Sequence, residues 1–476
     1  MFNANQSQSV RRGCLALLAF AQLIISLDIN IVFVALPEIG KGLHFSGQSL
    51  QWVVSAYTVF CGGFLLLGGR AADQIGQKRM FIFALFLYAA SSLMGAIAWT
   101  PEMIIVARAV QGTGGAFLFP ATLSLLNRLF TEGSERNRAL AIWGGAGASG
   151  LTLGSLSGGI LTEYAGWASV FYINVLLAGI AIILAVALLP ADKKRAVRQG
   201  FDMPGALTVT AASTLLVFSL VQGPEEGWRS VTVPFTLSVL SLILFVVIEL
   251  KSRTPLMPLT LLKNRYLLSG VVITFIYMGT FGALPYFETI LFQDVLKYSA
   301  LKTGLAFIVP SVFIFAGTQA GARLTGSFGT RSAMMAGCLT GIAGTLMMMY
   351  GATVTGTYLM LLPGLIVSGI GQGIVWTTMW ISAATGVRHD EQGIASGMAS
   401  TTLNVGNAIG LAILIAVATS LSRHSGEVHD AFFLATMAKY AFMLAATGMF
   451  MAFLIACFLP SNTPSALDNK TLTPAD

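Results

Sequence analysis

Long apolar runs, each about the length of one bilayer crossing and separated by short polar punctuation, recur from one end of the chain to the other. A hydrocarbon core about 30 Å thick needs about 20 apolar residues of helix. Runs of that kind fall near 13–36, 50–69, 80–99, 103–125, 139–162, 168–190, 204–222, 231–250, 266–291, 301–322, 332–350, 355–381, 393–420 and 435–459. The pattern predicts an all-α integral membrane protein with 14 transmembrane helices. Barrel strands would show alternating segments of about ten residues, and no such alternation dominates.

Composition and charge add direction. Of 476 residues, 55% are hydrophobic and 10% charged, with a mean hydropathy of +0.78; a soluble domain carries about 25% charged residues. An even number of spans puts both termini on one side. Twenty of the 27 Lys and Arg residues fall on that side and six on the other, with Arg108 left inside a span. The bias predicts cytoplasmic termini and a multi-pass protein of the cytoplasmic (inner) membrane. It also accounts for the net charge of +7 without a nucleic-acid partner. Cys14, Cys61, Cys338 and Cys457 lie within or beside spans and are expected as free packing residues.

The chain has no GxxxxGK[ST], HExxH or GxSxG pattern, and its GxGxxG match (Gly145, Gly147, Gly150) lies inside a span, where small residues let helices approach. His44, His389, His424 and His429 fall in loops or at span ends. These features predict no enzyme, no cofactor, no metal site and no direct use of ATP.

Echoes at a spacing of about 252 residues indicate an internal repeat. GRAADQIGQKR (69–79) is echoed by ARLTGSFGTR (322–331), and Gly154 and Gly158 by Gly406 and Gly410. The expected organisation is a six-helix bundle over 1–190, a linker with two extra spans over 191–265, a second six-helix bundle over 266–460, and a disordered cytoplasmic tail over 461–476. Parallel repeats of this kind occur in secondary transporters, with the site between the halves near the midplane.

Asp28, in SLDINIVFVALP, is a carboxylate in the middle of the first apolar run. Intramembrane charges are costly and mark ion pathways or structural pairs, and Arg108 in span 4 is the candidate partner at comparable depth. Asn30 lies about 200° around the helix from Asp28 and is expected to bond a neighbouring helix. Glu288 is the second candidate acid, at the interface or in a cavity. Phe33, Trp52, Tyr57, Phe287, Trp376 and Trp380 are candidates for an apolar substrate cavity, or for packing and interfacial anchoring.

Taken together, these segments resemble the major facilitator superfamily, specifically its fourteen-span drug:proton antiporter branch of multidrug and quaternary ammonium exporters, over about residues 10–460. SLDINIVFVALP resembles LDxTxxNxALP, with Asn30 for the usual Thr and Phe33 for the usual Asn. GRAADQIGQKR resembles the GxLADRxGRK loop, which implies a gating latch at Gly69, Asp73, Gly76, Lys78 and Arg79, with Asp73 facing the start of span 13 in the other half. RAVQGTGG (108–115) resembles RxxQGxG, implying a proton-transfer role for Arg108 and a cavity position for Gln111. GLTLGSLSGG resembles GxxxGPxxGG, with Ser155 for the usual Pro, and implies a moving interface at Gly150, Gly154, Gly158 and Gly159. WASVFYINV matches WxxxFxxN.

The resemblance implies a monomeric antiporter that exports a hydrophobic or cationic compound against protons. Asp28, Arg108 and Glu288 would handle the proton or cation, and Asn30, Phe33, Trp52, Tyr57, Gln111, Phe287, Trp376 and Trp380 would line the cavity. Alternatives are export of a specific metabolite or antibiotic, proton-driven nutrient uptake, or a lipid scramblase, channel or receptor on the same scaffold.

Overall fold

The computed structural model describes residues 8–45, 49–130, 134–192, 202–252, 255, 257, 259–387, 392–422 and 430–459. These contain helices and no strand. The helices are α1 (Gln8–Gly42), α2 (Trp52–Ile75), α3 (Gln77–Ala96), α4 (Pro101–Leu129), α5 (Ser134–Ala165), α6 (Ser169–Leu188), α7 (Met203–Glu226) and α8 (Thr232–Lys251). They continue with α9 (Arg265–Thr280), α10 (Leu284–Ile290), α11 (Ala300–Ala306), α12 (Ile308–Gly351), α13 (Tyr358–Ala384), α14 (Gln392–Ser422) and α15 (Ala431–Cys457). Among the described residues, 11 helical segments are long and apolar enough to cross a membrane. The tail expected over 461–476, and His389, His424 and His429, lie outside the described residues.

Local chemistry explains the breaks. Thr100 accepts a hydrogen bond from the Met103 N–H at 3.2 Å, and Pro101 opens α4 where its missing N–H costs nothing. Asn264 caps α9 through the Tyr266 N–H at 2.9 Å. Gly76 (φ 115°) parts α2 from α3, and Gly329 (φ 80°) bends α12 between the segments expected as two separate spans. Both need a left-handed backbone that side chains resist, and they stand at echoed positions of the repeat.

The repeat is also legible in packing. A side chain at Gly154 or Gly158 would collide with the backbone of α1 at Leu27 or Ile31; one at Gly406 or Gly410 would collide with α9 at Phe275 or Gly279. Thus α5 lies close against α1 as α14 lies close against α9, through glycine pairs four residues apart.

Two further features position the site. At the end where α1 finishes, one apolar cluster runs through both groups of helices, joining Ile31, Val34 and Phe171 to Tyr286, Phe292 and Phe442. At the end where α1 begins, the clusters are separate: Leu18, Tyr88 and Leu126 belong to one, Leu267, Ala383 and Met398 to another. Helix α7 packs on both α2 and α14, with Val217 and Val221 against Val59, Ala408 and Ala412. Its partner α8 turns a continuous apolar face outward, including Leu240, Ile243 and Leu244.

Candidate functional site

Asp28 lies about 20 Å along α1 from Gly42 at 1.5 Å per residue and has no solvent-accessible surface. Arg108, 2% exposed, donates from Nη1 to Asp28 Oδ2 at 2.7 Å. The same nitrogen donates to Gln111 Oε1 at 2.7 Å, and Nε donates to the Val53 carbonyl at 2.8 Å. The guanidinium carbon sits 4.5 Å from the centre of the Tyr57 ring, a cation–π contact strengthened by desolvation.

The carboxylate is satisfied further by a second residue of α4 and by one of α6. Gln111 Nε2 donates to Asp28 Oδ1 at 3.0 Å and to Ser92 Oγ at 3.0 Å, and Asn174 Nδ2 donates to Asp28 Oδ1 at 2.5 Å. A buried ion pair survives only when its spare lone pairs and N–H groups are occupied in this way. Two groups stay unfilled: Asn174 Oδ1 and the hydroxyl of Tyr88, which lies beside Asp28 without reaching hydrogen-bond geometry. The motif RAVQGTGG permits this crowding. Gly112 and Gly115 admit Tyr57 of α2, while Gly114 admits Ala84 and Tyr88 of α3.

The structure thus brings together Asp28, Arg108, Gln111 and Tyr57 and spreads the remaining candidates elsewhere. Asn30 donates to the Leu151 carbonyl at 3.0 Å and to Ser155 Oγ at 3.2 Å, bonding α5 as its angular position demanded. Ser155, standing where Pro is usual in the resembled motif, supplies that hydroxyl. Phe33 is buried in the shared apolar cluster, and Trp52 packs towards α7 and α14. Trp376, 37% exposed, lies 6.0 Å centre to centre from both Tyr277 and Trp380, and Tyr277 meets Phe281 edge-on.

Glu288 is buried in α10 beside Phe287 and Tyr286, with no hydrogen bond or ion pair among the described residues. The run carrying it is irregular: a 3₁₀ turn (Phe281–Ala283) precedes α10 and a π-helical turn (Leu291–Val295) follows. Within that π turn, Gln293 Nε2 donates to the Val34 carbonyl of α1 at 2.8 Å.

Two groups of motif residues sit differently from expectation. Of the four glycines assigned to one moving interface, Gly150, Gly154 and Gly158 face α1, and Gly159 alone meets the backbone of Ala300 and Leu301 in α11. Ser155 joins it there, its carbonyl lying against Gly304. The spacing explains the division, because consecutive glycines 158 and 159 point about 100° apart on a helix. In the gating loop, Lys78 Nζ donates to the carbonyls of Val186 (2.9 Å) and Leu189 (2.6 Å) at the end of α6. Asp192 accepts the backbone N–H groups of Lys78 (2.9 Å) and Arg79 (3.0 Å). Gly69 lies near Pro120 of α4, and the side chains of Arg70 and Asp73 lie outside the described residues.

Sequence reasoning did not single out Asn174, Ser92, Tyr88, Asp192 or Gln293. The signal for Asn174 was present, as the last residue of WxxxFxxN and a lone amide in an otherwise apolar run.

Long apolar helices packed around a sealed ion pair define a multi-pass membrane protein. The chain belongs to the Major Facilitator Superfamily, whose profile matches residues 18–411, and it is a transporter and not an enzyme. It is 36% identical over 415 residues to the puromycin resistance protein pur8 of Streptomyces alboniger, covering 86% of this chain and 81% of the relative. It is 36% identical over 423 residues to the cephamycin export protein CmcT of Amycolatopsis lactamdurans, covering 87% and 86%. The solved nucleoside transporter NupG shares the fold with a TM-score of 0.67 at 13% identity, covering 94% of this chain and 99% of that one.

Proposed function

We propose that this protein is a fourteen-span antiporter of the cytoplasmic membrane, with both termini in the cytoplasm, that exports hydrophobic or cationic drug-like compounds in exchange for protons. The observation that carries the reading is the sealed cluster of Asp28, Arg108, Gln111 and Asn174. The names of the relatives, a puromycin resistance protein and a cephamycin export protein, support the substrate class; the same names favour, as a second reading, export of one specific antibiotic.

The cluster suits a reversible proton site. When Asp28 takes a proton, Arg108 loses its ionic partner but keeps the Val53 carbonyl, the Gln111 amide oxygen and the Tyr57 ring. The guanidinium is therefore never stranded, which removes the penalty of several kcal/mol that breaking a buried pair otherwise carries. The amide of Asn174, whose Oδ1 is buried without a hydrogen-bond partner, can turn over to accept the new O–H of Asp28. Loss or gain of the ionic bond then changes how tightly α1 is held to α4, while α1 also packs on α10 and α11 across the seam between the bundles.

The fused apolar cluster at the end of α1, with Gly159 against α11 and Gln293 bonded to Val34, supports a conformer closed on the outer side. A side chain added at Gly144 or Gly145, near the start of α5, would meet no neighbouring element within 4 Å, as expected where the bundles part. Trp376, Trp380 and Tyr277 offer an aromatic wall for an apolar or cationic substrate. Glu288, a buried acid with no hydrogen bond or ion pair among the described residues, serves as a second protonatable group on the outer side.

Proteoliposomes with a trapped pH dye test the reading. Lipophilic cations should drive proton movement through the native protein and not through Asp28→Asn, while the variant still binds them. Binding without proton movement in the native protein would overturn antiport.

A further inference from the structure

A cavity of about 570 Å³ opens between the end of α12 and the first turns of α15, far from the ion pair. One wall is a single stripe of α15, Phe432, Thr436, Lys439 and Met443; the other is Met349 with the turn at Thr353–Thr355. Spacings of three and four residues place the α15 positions on one helix face.

Among the described residues, Lys439 is the only charged one lining this cavity, and it makes no hydrogen bond or ion pair with any of the others. It stands eight residues into α15, about 12 Å along the axis from Ala431. Helix α15 has 27 residues, about 40 Å, so its first turn projects beyond a 30 Å core and the Lys439 backbone falls about 7 Å inside the apolar boundary, roughly the length of its own side chain. An ammonium there extends towards the headgroup level. Around it the cavity offers hydroxyls from Thr353, Thr355, Thr436 and Tyr440, and the residues deeper along the groove are Met349 and Met443. A cation and hydroxyls at the mouth over an apolar floor complement an anionic head joined to a hydrocarbon chain.

We propose that this groove is a binding site for an anionic phospholipid, with its phosphate on Lys439 and one acyl chain lying along Met349 and Met443. The site is separate from the transport path and depends only on the membrane location of α15. Zwitterionic lipids carry the same chains but no net negative charge, so discrimination rests on Lys439.

The test is native mass spectrometry of the full-length protein released from nanodiscs of equal phosphatidylglycerol and phosphatidylcholine. The native chain should retain phosphatidylglycerol over phosphatidylcholine by about tenfold, the equivalent of one charge-assisted contact. Lys439→Gln should abolish that preference and Lys439→Arg should keep it. Thr436→Trp, which fills the groove while leaving the ammonium, should lower retention of the lipid. Unchanged preference in Lys439→Gln would overturn the proposal. So would displacement of the lipid by inorganic phosphate alone, which identifies a free-phosphate site, or a dimer cross-linked through this groove, which identifies a second copy as its occupant.

Discussion

Asn174 donates its amide N–H to Asp28 Oδ1 while its own carbonyl oxygen is buried with no partner. One side chain thus stabilises the ionised acid and keeps an acceptor ready for the protonated one. Replacing Asn174 by Leu, which keeps the same branching and number of side-chain heavy atoms without the polar ones, should lower substrate-driven proton flux by about tenfold, the effect of one lost hydrogen bond to a charged group. Asn174→Asp should be more harmful, because it sets a second carboxyl against Asp28. Proton flux in proteoliposomes, alongside size-exclusion profiles for folding, measures both.

Arg108 uses the geometry of its guanidinium fully, reaching Asp28, Gln111, Val53 and the Tyr57 ring. Lysine cannot reproduce that fork. Arg108→Ala should destabilise the protein by about 3–5 kcal/mol by leaving Asp28 buried and unpaired, and Arg108→Lys by less. The double variant Asp28→Asn with Arg108→Gln should recover part of the loss, which thermal unfolding in detergent would reveal.

Among the described residues Glu288 makes no hydrogen bond or ion pair. Glu288→Gln should therefore keep the melting temperature close to native while altering the pH dependence of export. Glu288→Ala should cost about 2 kcal/mol or more through the cavity it leaves. Export assays across a pH series, with melting curves for both variants, separate a protonatable role from packing alone.

Gly159 touches the backbone of α11 across the seam between the bundles, whereas its neighbour Gly158 touches α1. Gly159→Val should push the outer ends apart and raise the labelling of cysteines introduced at Glu163 and Leu301, about tenfold if the conformational balance moves by 1.4 kcal/mol. Gly158→Val should instead lower stability without opening the seam, because the contact it breaks lies inside one bundle.

The helices were legible because span length and hydropathy are properties of contiguous sequence, and Asp28 and Arg108 because a charge stands out in an apolar run. Asn174 was harder to find: an amide in a span carries no charge signal, and its partner is 146 positions away. The irregular course of the ninth run was also hidden, since 3₁₀ and π turns preserve hydropathy while changing only the hydrogen-bond register. The glycine motif was recognised but treated as one surface, although adjacent residues on a helix face different neighbours. Lys78 shows the same limit, because its contacts with Val186 and Leu189 come from tertiary folding of segments more than a hundred residues apart.

Helix α7 lies across the junction of α2 and α14 and touches both. In the proposed transport cycle the two bundles slide along this helix, which would then be a rail that guides the motion and a wall against sideways entry from the bilayer.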